Sequence, residues 1–407
     1  MKKLLRGIQE SILTRLLRKQ VFRETLIRYL AQDDLVCCRL VCRTLAVQLA
    51  PYLFANITIV FRSRTLTRPS RISALERIGT HIQTMTFTMP HTAETFLPPV
   101  IDPVTGREMN FIYMPQHQQM THRSPKYGTW EMTSWLVQQY PPVFHAATDI
   151  PSFVRALSMM ENLRHLRINC AGQLPSHRYR RSAVDYALIS LRIAIERAPR
   201  IALDTVSLQS VHPAAVFYLQ PNGGFGASPA SRKRWSQVRH LTVHMESFPH
   251  HVGLPTDHFK LIHAYLQSFS ELRTLAFHWI GERGPSPVSL ATEQKLPTAA
   301  CACPVSIQCT SGSEGPGRSR RLIYGFLQQL ELFNVTMDAS QVAAFILDHR
   351  HSLSDLNLRD ITLRRGTWAD ALAPLTWLGG SDRWKQEQRQ DGGDDVLPTM
   401  RNIASAG

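Results

Sequence analysis

The sequence predicts a protein of the α/β class, in which a short helical module precedes an irregular solenoid of strand–helix repeats. Two observations lead to this prediction. Residues 19–56 contain amphipathic helical patterns, and residues 57–378 repeat a short apolar strand pattern with helical stripes between the copies. Apolar positions three or four residues apart indicate helices with one buried face, whereas alternation indicates half-buried strands.

Composition indicates a folded, basic protein. The chain has 407 residues, of which 43% are hydrophobic and 19% charged, and its net charge is +15. This length corresponds to roughly two or three domains. No apolar run approaches the roughly 18 residues that a membrane span needs. The seven cysteines have no regular spacing, which favours reduced thiols in an intracellular protein of the cytoplasm or nucleus.

Residues 1–18 predict a basic amphipathic helix. Its apolar stripe is formed by Leu4, Leu5, Ile8, Ile12 and Leu16. A mitochondrial presequence has the same arginine-rich character. Because Glu10 is acidic and serine is scarce, we expect instead an additional helix that packs against the module that follows.

Residues 19–56 predict a compact helical module that leads into a first strand. The first helix carries one apolar side, formed by Val21, Phe22, Leu26, Ile27 and Leu30. Asp33 or Asp34 is expected to cap a second helix from Leu35 to Leu49, because a short carboxylate accepts from free backbone N–H groups. Pro51 is expected to end that helix.

This module resembles the F-box of fungal F-box proteins. The matching residues are Leu26, Ile27, Tyr29, Leu30, Asp34, Leu35, Arg39, Leu40, Val41, Arg43, Leu53 and Phe54. Lys19, Gln20 and Val21 stand where the family usually opens with Leu-Pro and an acidic residue. The alternative interpretation is a pair of ordinary amphipathic helices in a globular core.

The resemblance implies that the module docks on the Skp-family adaptor of an SCF-type cullin–RING ubiquitin ligase. The residues expected to contact the adaptor are Phe22, Leu26, Ile27, Leu30, Leu35, Leu40 and Val41.

The strand pattern of the array has three apolar residues. The second follows the first by three positions, and the third follows the second by two. Its eight copies begin at Phe54, Ile82, Leu163, Leu203, Val238, Leu272, Leu327 and Leu353. The first two copies are 28 residues apart and the last two 26 apart, within the leucine-rich-repeat period of roughly 20–29 residues. The five intervals between them, of 81, 40, 35, 34 and 55 residues, are longer. Helical stripes at residues 184–195, 259–269 and 342–349 lie between copies.

The last two copies resemble the C-terminal repeats of fungal F-box/leucine-rich-repeat proteins. We therefore expect Leu330, Leu332, Leu356 and Leu358 to point into one continuous core from adjacent parallel strands. Loop inserts near residues 91–129, 221–234 and 281–320, and a tail at 379–407, are rich in polar residues, glycine and proline. We expect them not to order themselves, because such tracts bury little apolar surface.

No motif of an enzyme is present, so we predict a non-catalytic protein without cofactor. The chain lacks His-Glu-x-x-His, Gly-x-Ser-x-Gly and a phosphate-binding loop. Cys301, Cys303 and Cys309 form Cys-x-Cys-x5-Cys without an evident fourth ligand, so no metal site is predicted.

The function predicted is that of a substrate receptor, which bridges the adaptor of a ubiquitin ligase to an unknown protein target. The alternative is a basic repeat scaffold that binds nucleic acid or an acidic protein and has no ligase role. The basic residues are dispersed over several probable loops, which makes a nucleic-acid face the weaker alternative.

Overall fold

The protein is a mixed α/β structure with thirteen α-helices and extended parallel β-pairing in its described part. The computed structural model describes residue 16 and residues 19–115, 125–173, 180–221, 225–227, 229–247, 256–288 and 321–378. Most of the predicted helix at 1–18, most of the insert at 281–320 and the tail at 379–407 lie outside these residues.

The chain divides into two compact units. The first unit comprises Met1–Met89, Ala93–Asn169 and Ser182–Leu203. The second comprises Pro90–Thr92, Cys170–Arg181 and Asp204–Gly407.

The first unit begins with three short helices, α1 (Gln20–Tyr29), α2 (Gln32–Val41) and α3 (Arg43–Leu53). Three of its strands are parallel neighbours in the order β1 (Asn56–Val60), β2 (Thr84–Thr88) and β5 (His165–Asn169). A hairpin pairs β3 (Val100–Ile101) with β4 (Glu108–Met109). The remaining helices are α4 (Pro69–Ile78), α5 (Trp130–Gln139), α6 (Pro142–Ala147), α7 (Ile150–Ser158) and α8 (Ala183–Arg197).

The second unit contains five parallel strands, in the order β6 (Thr205–Val211), β7 (His240–Glu246), β8 (Thr274–Ile280), β10 (Gln329–Phe333) and β12 (Asp355–Arg359). A smaller parallel sheet has the order β13 (Thr362–Leu363), β11 (Val335–Met337) and β9 (Gly284–Pro285). The helices are α9 (Ala215–Leu219), α10 (Pro229–Ser236), α11 (Thr256–Leu266), α12 (Ala339–Asp348) and α13 (Trp368–Leu378).

All eight predicted strands are present, and within each unit their apolar residues align. Leu275 on β8 pairs in register with Leu330 on β10, which pairs in turn with Leu356 on β12. Leu330 and Leu332 are buried as predicted, whereas Leu356 and Leu358 are only half-buried. β12 is the last strand in the described part of this sheet, so its side chains have neighbours on one flank alone.

The strands also begin alike. The N–H groups of two successive residues donate to one backbone carbonyl at the start of the preceding strand, over 2.7–3.1 Å. The carbonyls that accept in this way belong to Ala55, Gln83, Asp204, Arg239, Arg273 and Gln328. Because the side chains at these positions differ, the repetition lies in the backbone geometry.

The insert near residues 91–129 is ordered in its described part, so the prediction that it would stay unordered is wrong there. Phe111, Tyr113 and Tyr127 are buried. They stack or meet edge to face with Phe144 of α6 and Tyr186 of α8, with ring centroids 5.1–6.4 Å apart. Widely spaced aromatic residues therefore anchor a segment whose average composition is polar.

The other two inserts are also partly ordered. Residues 229–236 of the second insert region form α10, which Trp235 anchors with an exposed fraction of 1%. In the third, residues 284–285 form β9, and Val288 is buried. In both cases residues near the edge of the tract supply burial that the composition did not indicate.

The buried imidazole of His349 connects α12 to the segment before β10. Its Nε2 accepts from the Tyr324 N–H at 3.0 Å, and its Nδ1–H donates to the Phe345 carbonyl at 2.9 Å. The ring stacks on Phe345 with centroids 4.1 Å apart. Burial lowers the pKa of His349, although the hydrogen bond to the Phe345 carbonyl opposes this effect. The neutral imidazole is thus the form that fits the folded protein.

Leu275→Ala is expected to lower the free energy of unfolding by about 2–5 kcal/mol, because it opens a cavity at a side chain that is fully buried in the sheet. Urea denaturation followed by tryptophan fluorescence measures the change, since Trp235 and Trp279 are buried in the same unit. The control Asp355→Ala changes an exposed residue of β12 and should alter stability by less than about 0.5 kcal/mol. Equal effects of the two variants would contradict the described core.

Acidification should destabilise the fold partly through His349. Its folded-state pKa lies below 6.5, so the unfolded chain binds the proton more readily. Its contribution is present above about pH 6.5 and is lost as the pH falls through the lower folded-state pKa. In His349→Gln, the decrease in unfolding free energy between about pH 7.5 and pH 5.5 should be smaller than in the wild type. His351→Gln, which removes an exposed imidazole nearby, should reproduce the wild-type decrease; a full wild-type decrease in His349→Gln would refute the argument.

Candidate protein-docking surface

The helices α1, α2 and α3 enclose a small leucine core. Leu35, Leu45, Leu49 and Leu53 are buried, with exposed fractions of 2–9%. The half-buried side chains packed around them are Phe22, Leu26, Ile27, Leu30, Cys38 and Phe54. Helices of ten or eleven residues are marginal in isolation, so this shared core is what holds the module together.

Two arginines tie the first two helices to the third. Arg23 donates from Nε to the Tyr52 hydroxyl at 3.1 Å, and its guanidinium lies 5.7 Å from the centre of the same ring. The Arg39 guanidinium lies 4.7 Å from the centre of the Phe54 ring, at the end of α3. Such contacts combine a cation–π attraction with packing of the arginine stem.

The predicted single helix from Leu35 to Leu49 is wrong, because the chain breaks at Cys42. Cys42 is extended, and its Sγ accepts from the Leu45 N–H at 3.5 Å, which caps α3. The break lets α2 and α3 pack against each other, so that Leu35 of α2 shares one buried core with Leu45, Leu49 and Leu53 of α3. Apolar residues three or four positions apart are compatible with one long helix or with two short ones, which is why the periodicity could not reveal the break.

Two further boundaries differ from the prediction. The second helix begins earlier, at Gln32, and Asp34 lies within its first turn, where Oδ2 accepts from the Ala31 N–H at 3.1 Å. Pro51 lies inside α3, which continues to Leu53. Proline leaves the carbonyl four residues earlier without its helical donor. Here that residue is Val47, which is 73% exposed.

The outward side of α2 is apolar. Val36, Leu40 and Val41 are 44%, 79% and 75% exposed, and Cys37 is exposed between them. These four residues form two pairs spaced by four positions, which places them side by side along the helix, opposite the buried Leu35. We call them the α2 apolar surface. Contiguous exposed apolar surface is uncommon on soluble proteins and marks sites of protein interaction.

The seven residues predicted to contact an adaptor differ in how deeply the structure buries them. Leu35 is buried, and four others are half-buried around the core, namely Phe22, Leu26, Ile27 and Leu30. Leu40 and Val41 are exposed. Four further exposed apolar residues of the module were not predicted to contact an adaptor, namely Val21, Tyr29, Val36 and Val47. The prediction that Val21 lies on the apolar side of the first helix that packs inward is wrong, because its side chain is 78% exposed. Val36 and Val47 lie outside the core residues of α2 and α3, so a search for apolar residues outside the main stripe of each helix would have found them.

A second candidate surface is the polar face of the five-stranded sheet in the second unit. On it the rings of His244 and His278 stack with centroids 4.5 Å apart, and His278 Nε2 lies 3.5 Å from Glu331 Oε1. Burial lowers the pKa of both imidazoles, and the pKa of His278 is lowered further by the neighbouring His244. Glu331 opposes both shifts. This face can therefore present neutral hydrogen-bonding rings to a bound segment.

Other classes of site find no support in the part of the chain that the structure describes. Within those ranges no group of three or more histidine, cysteine, aspartate or glutamate side chains could hold a metal ion. No helix of these ranges combines the length and apolar character needed to cross a bilayer. The predicted absence of a metal at Cys301, Cys303 and Cys309 concerns residues outside the described part.

Comparison with known proteins identifies no family. No protein-family model matches the chain, and no curated protein sequence matches it. The functional argument therefore depends on the residues and geometry of the module itself.

Leu40→Asp should leave the module folded, because the leucine side chain is 79% exposed and contributes little burial. Leu49→Asp should unfold the module, because it places a carboxylate in the leucine core, where Leu49 is 2% exposed. Amide hydrogen exchange across residues 20–53 measures both effects. Rapid exchange throughout the Leu40→Asp module would show that Leu40 is part of the core.

Proposed function

We propose that this protein is an F-box-type substrate receptor of an SCF-type cullin–RING ubiquitin ligase. The observation that carries the proposal is the α2 apolar surface. Leu40 and Val41 belong to the F-box-like pattern, yet the module completes its core without them and leaves them about three-quarters exposed. Apolar residues that are retained outside a finished core fit the role of anchors for a partner protein.

The other pattern residues fit a supporting role in this proposal. Leu26, Leu30 and Leu35 pack in or around the leucine core, and Arg39 braces α2 against Phe54. They would hold α2 rigid, so that little conformational entropy is lost when the Skp-family adaptor binds. Cys37, Cys38 and Cys42 are free thiols, which is consistent with the reducing cytoplasm or nucleus in which such a ligase would act.

In this proposal the strands form a leucine-rich-repeat-like solenoid that holds a target protein. The aligned apolar residues and the repeated strand starts support a chain of equivalent units, each of which packs on its neighbours. The polar sheet face with His244, His278 and Glu331 is then available to a target. Such a receptor acts without catalysis, because holding the target near the ubiquitin-loaded enzyme raises the effective concentration of the reacting groups.

Leu40→Asp combined with Val41→Asp should weaken capture of a purified Skp-family adaptor by at least about tenfold, because both anchors would become charged at an apolar contact. Binding is measured by calorimetry or surface plasmon resonance with the full chain. Leu30 is left unchanged, because its half-buried side chain packs on the core. Its replacement could reduce adaptor binding by unfolding the module and not by removing a contact.

The matched control is Ile112→Asp, which adds a charge at another exposed apolar residue of the same unit, 73% exposed. This control should bind the adaptor like the wild type. If the double variant is folded and retains wild-type affinity, or if the wild-type chain does not bind the adaptor, the F-box proposal is wrong.

A further inference from the structure

The strand β12 is an open edge of the sheet in the second unit. It pairs with β10 on one side, and within the described residues no strand lies on its other side. Leu356 and Leu358 of β12 are half-buried, whereas Leu330 and Leu332 at the paired positions of β10 are 2% and 1% exposed. The edge therefore leaves both backbone groups and apolar surface without a neighbour.

The outward backbone groups belong to Leu356 and Leu358. The Asp355 N–H donates at 2.9 Å to the residue just before β10, and the Arg359 carbonyl accepts at 3.1 Å from Asn334, just after β10. Backbone groups alternate in direction along a strand, so the N–H and carbonyl groups of the two leucines turn away from β10. A row of such unpaired groups is a template for a further strand.

The side chains of β12 do not protect this edge. Proteins commonly protect an edge strand with proline, lysine or a bulge; β12 contains neither residue, and its register with β10 is regular. Its two charged residues, Asp355 and Arg359, are exposed at opposite ends of the strand. Within the described residues the Asp355 carboxylate has no ion-pair partner. Arg359 donates from Nε to Asn357 Oδ1 at 3.1 Å, a bond that does not use its terminal guanidinium nitrogens.

The sequence of β12, Asp-Leu-Asn-Leu-Arg, is complementary to itself in the antiparallel direction. When two copies are centred on Asn357, Asp355 of each lies opposite Arg359 of the other, and Leu356 lies opposite Leu358. The leucines then form the hydrogen-bonded pairs, because their backbone groups turn outward. The charged residues form the other class of pair, in which side chains lie closer together. Opposite charges in such cross-strand pairs are stabilising.

Other registers lose these pairs. A shift by one residue sets the outward groups of one copy against the inward groups of the other, so the hydrogen bonds cannot form. A shift by two residues places either Asp355 or Arg359 opposite Asn357 and thus separates the opposite charges. Asp360 has a φ of 51°, which ends the extended strand. The antiparallel register centred on Asn357 is therefore the one that satisfies both the backbone and the charges.

We propose that the protein forms a homodimer in which the β12 strands of two chains pair about a two-fold axis at Asn357. Five residues per chain form a smaller contact than that of stable complexes, so a dissociation constant of about 10–100 µM is expected. The sheets of the two chains become one, and the polar face with His244 and His278 continues across it. A ligand with two equivalent segments could then bind both copies together. This inference does not depend on adaptor docking.

Sedimentation velocity of the full chain, between about 1 and 200 µM and at about 0.15 M ionic strength, measures the association. Arg359→Asp should weaken dimerisation by at least about tenfold, because it sets carboxylates opposite each other at both ends of the strand pair. Asp355→Arg should do the same with guanidinium groups. The matched control Arg232→Asp reverses a charge at an exposed position of α10 and should change the dissociation constant by less than about twofold.

A mixture of the two single variants is the most specific test. Chains with Asp355→Arg repel one another, as do chains with Arg359→Asp, but the two kinds carry opposite charges toward each other. The mixture should therefore recover association within about threefold of the wild type. Attraction by net charge cannot produce this recovery, because both variants keep the strongly basic character of a chain with net charge +15.

Several outcomes would overturn the inference. These are a monomeric wild type at about 200 µM, wild-type association of both single variants, and a mixture that stays monomeric. Amide exchange at Leu356 and Leu358 should slow as the chain concentration rises. Full protection already at about 1 µM would assign the edge to another segment of the same chain. Adaptor capture by the Arg359→Asp chain should match the wild type, which separates failure here from failure of the F-box proposal.

Discussion

The shared register of the parallel strands is the constraint on which the rest of the structure depends. In the second unit Leu241, Leu275 and Leu330 occupy equivalent positions on neighbouring strands. A slip of one residue would turn each of them to the polar face and bring a histidine or glutamate into the core. The backbone carbonyl that accepts two N–H groups at the start of each following strand opposes such a slip, because it defines where the next strand begins.

Register also explains why the loops can vary. Once the strand starts are aligned, the segment that connects two strands has only to run from the end of one strand to the start of the next. Its length and internal structure can therefore vary. The interval between β2 and β5 accommodates a hairpin and three helices, whereas the interval between β10 and β12 holds the single helix α12 and the short strand β11. Loop closure costs little additional free energy as the loop lengthens, so insertions add surface without disturbing the sheet.

In the N-terminal module a single helix, α2, carries both buried and exposed apolar side chains. Leu35 contributes to the core, while Leu40, five residues later, faces solvent. Exposed apolar side chains lower solubility and add nothing to the core. Their presence on α2 is therefore better explained by contact with a partner protein than by a contribution to stability. The segment after β1 shows the same division for charge, since Phe61 and Leu66 are buried while Arg62, Arg64 and Arg68 beside them are exposed.

The sequence by itself determined the class of fold, the positions of the eight strands and the helices at residues 183–197 and 339–348. In these elements apolar residues recur at regular intervals, and such spacing can be recognised in the local sequence alone. Only the tertiary structure decided the break at Cys42, the exposure of Leu40 and the order of the aromatic insert. Each depends on which distant groups are near: α3 folds back on α2, and Phe144 and Tyr186 receive Phe111. Burial arises from such contacts between residues far apart in sequence, and therefore no local pattern could reveal it.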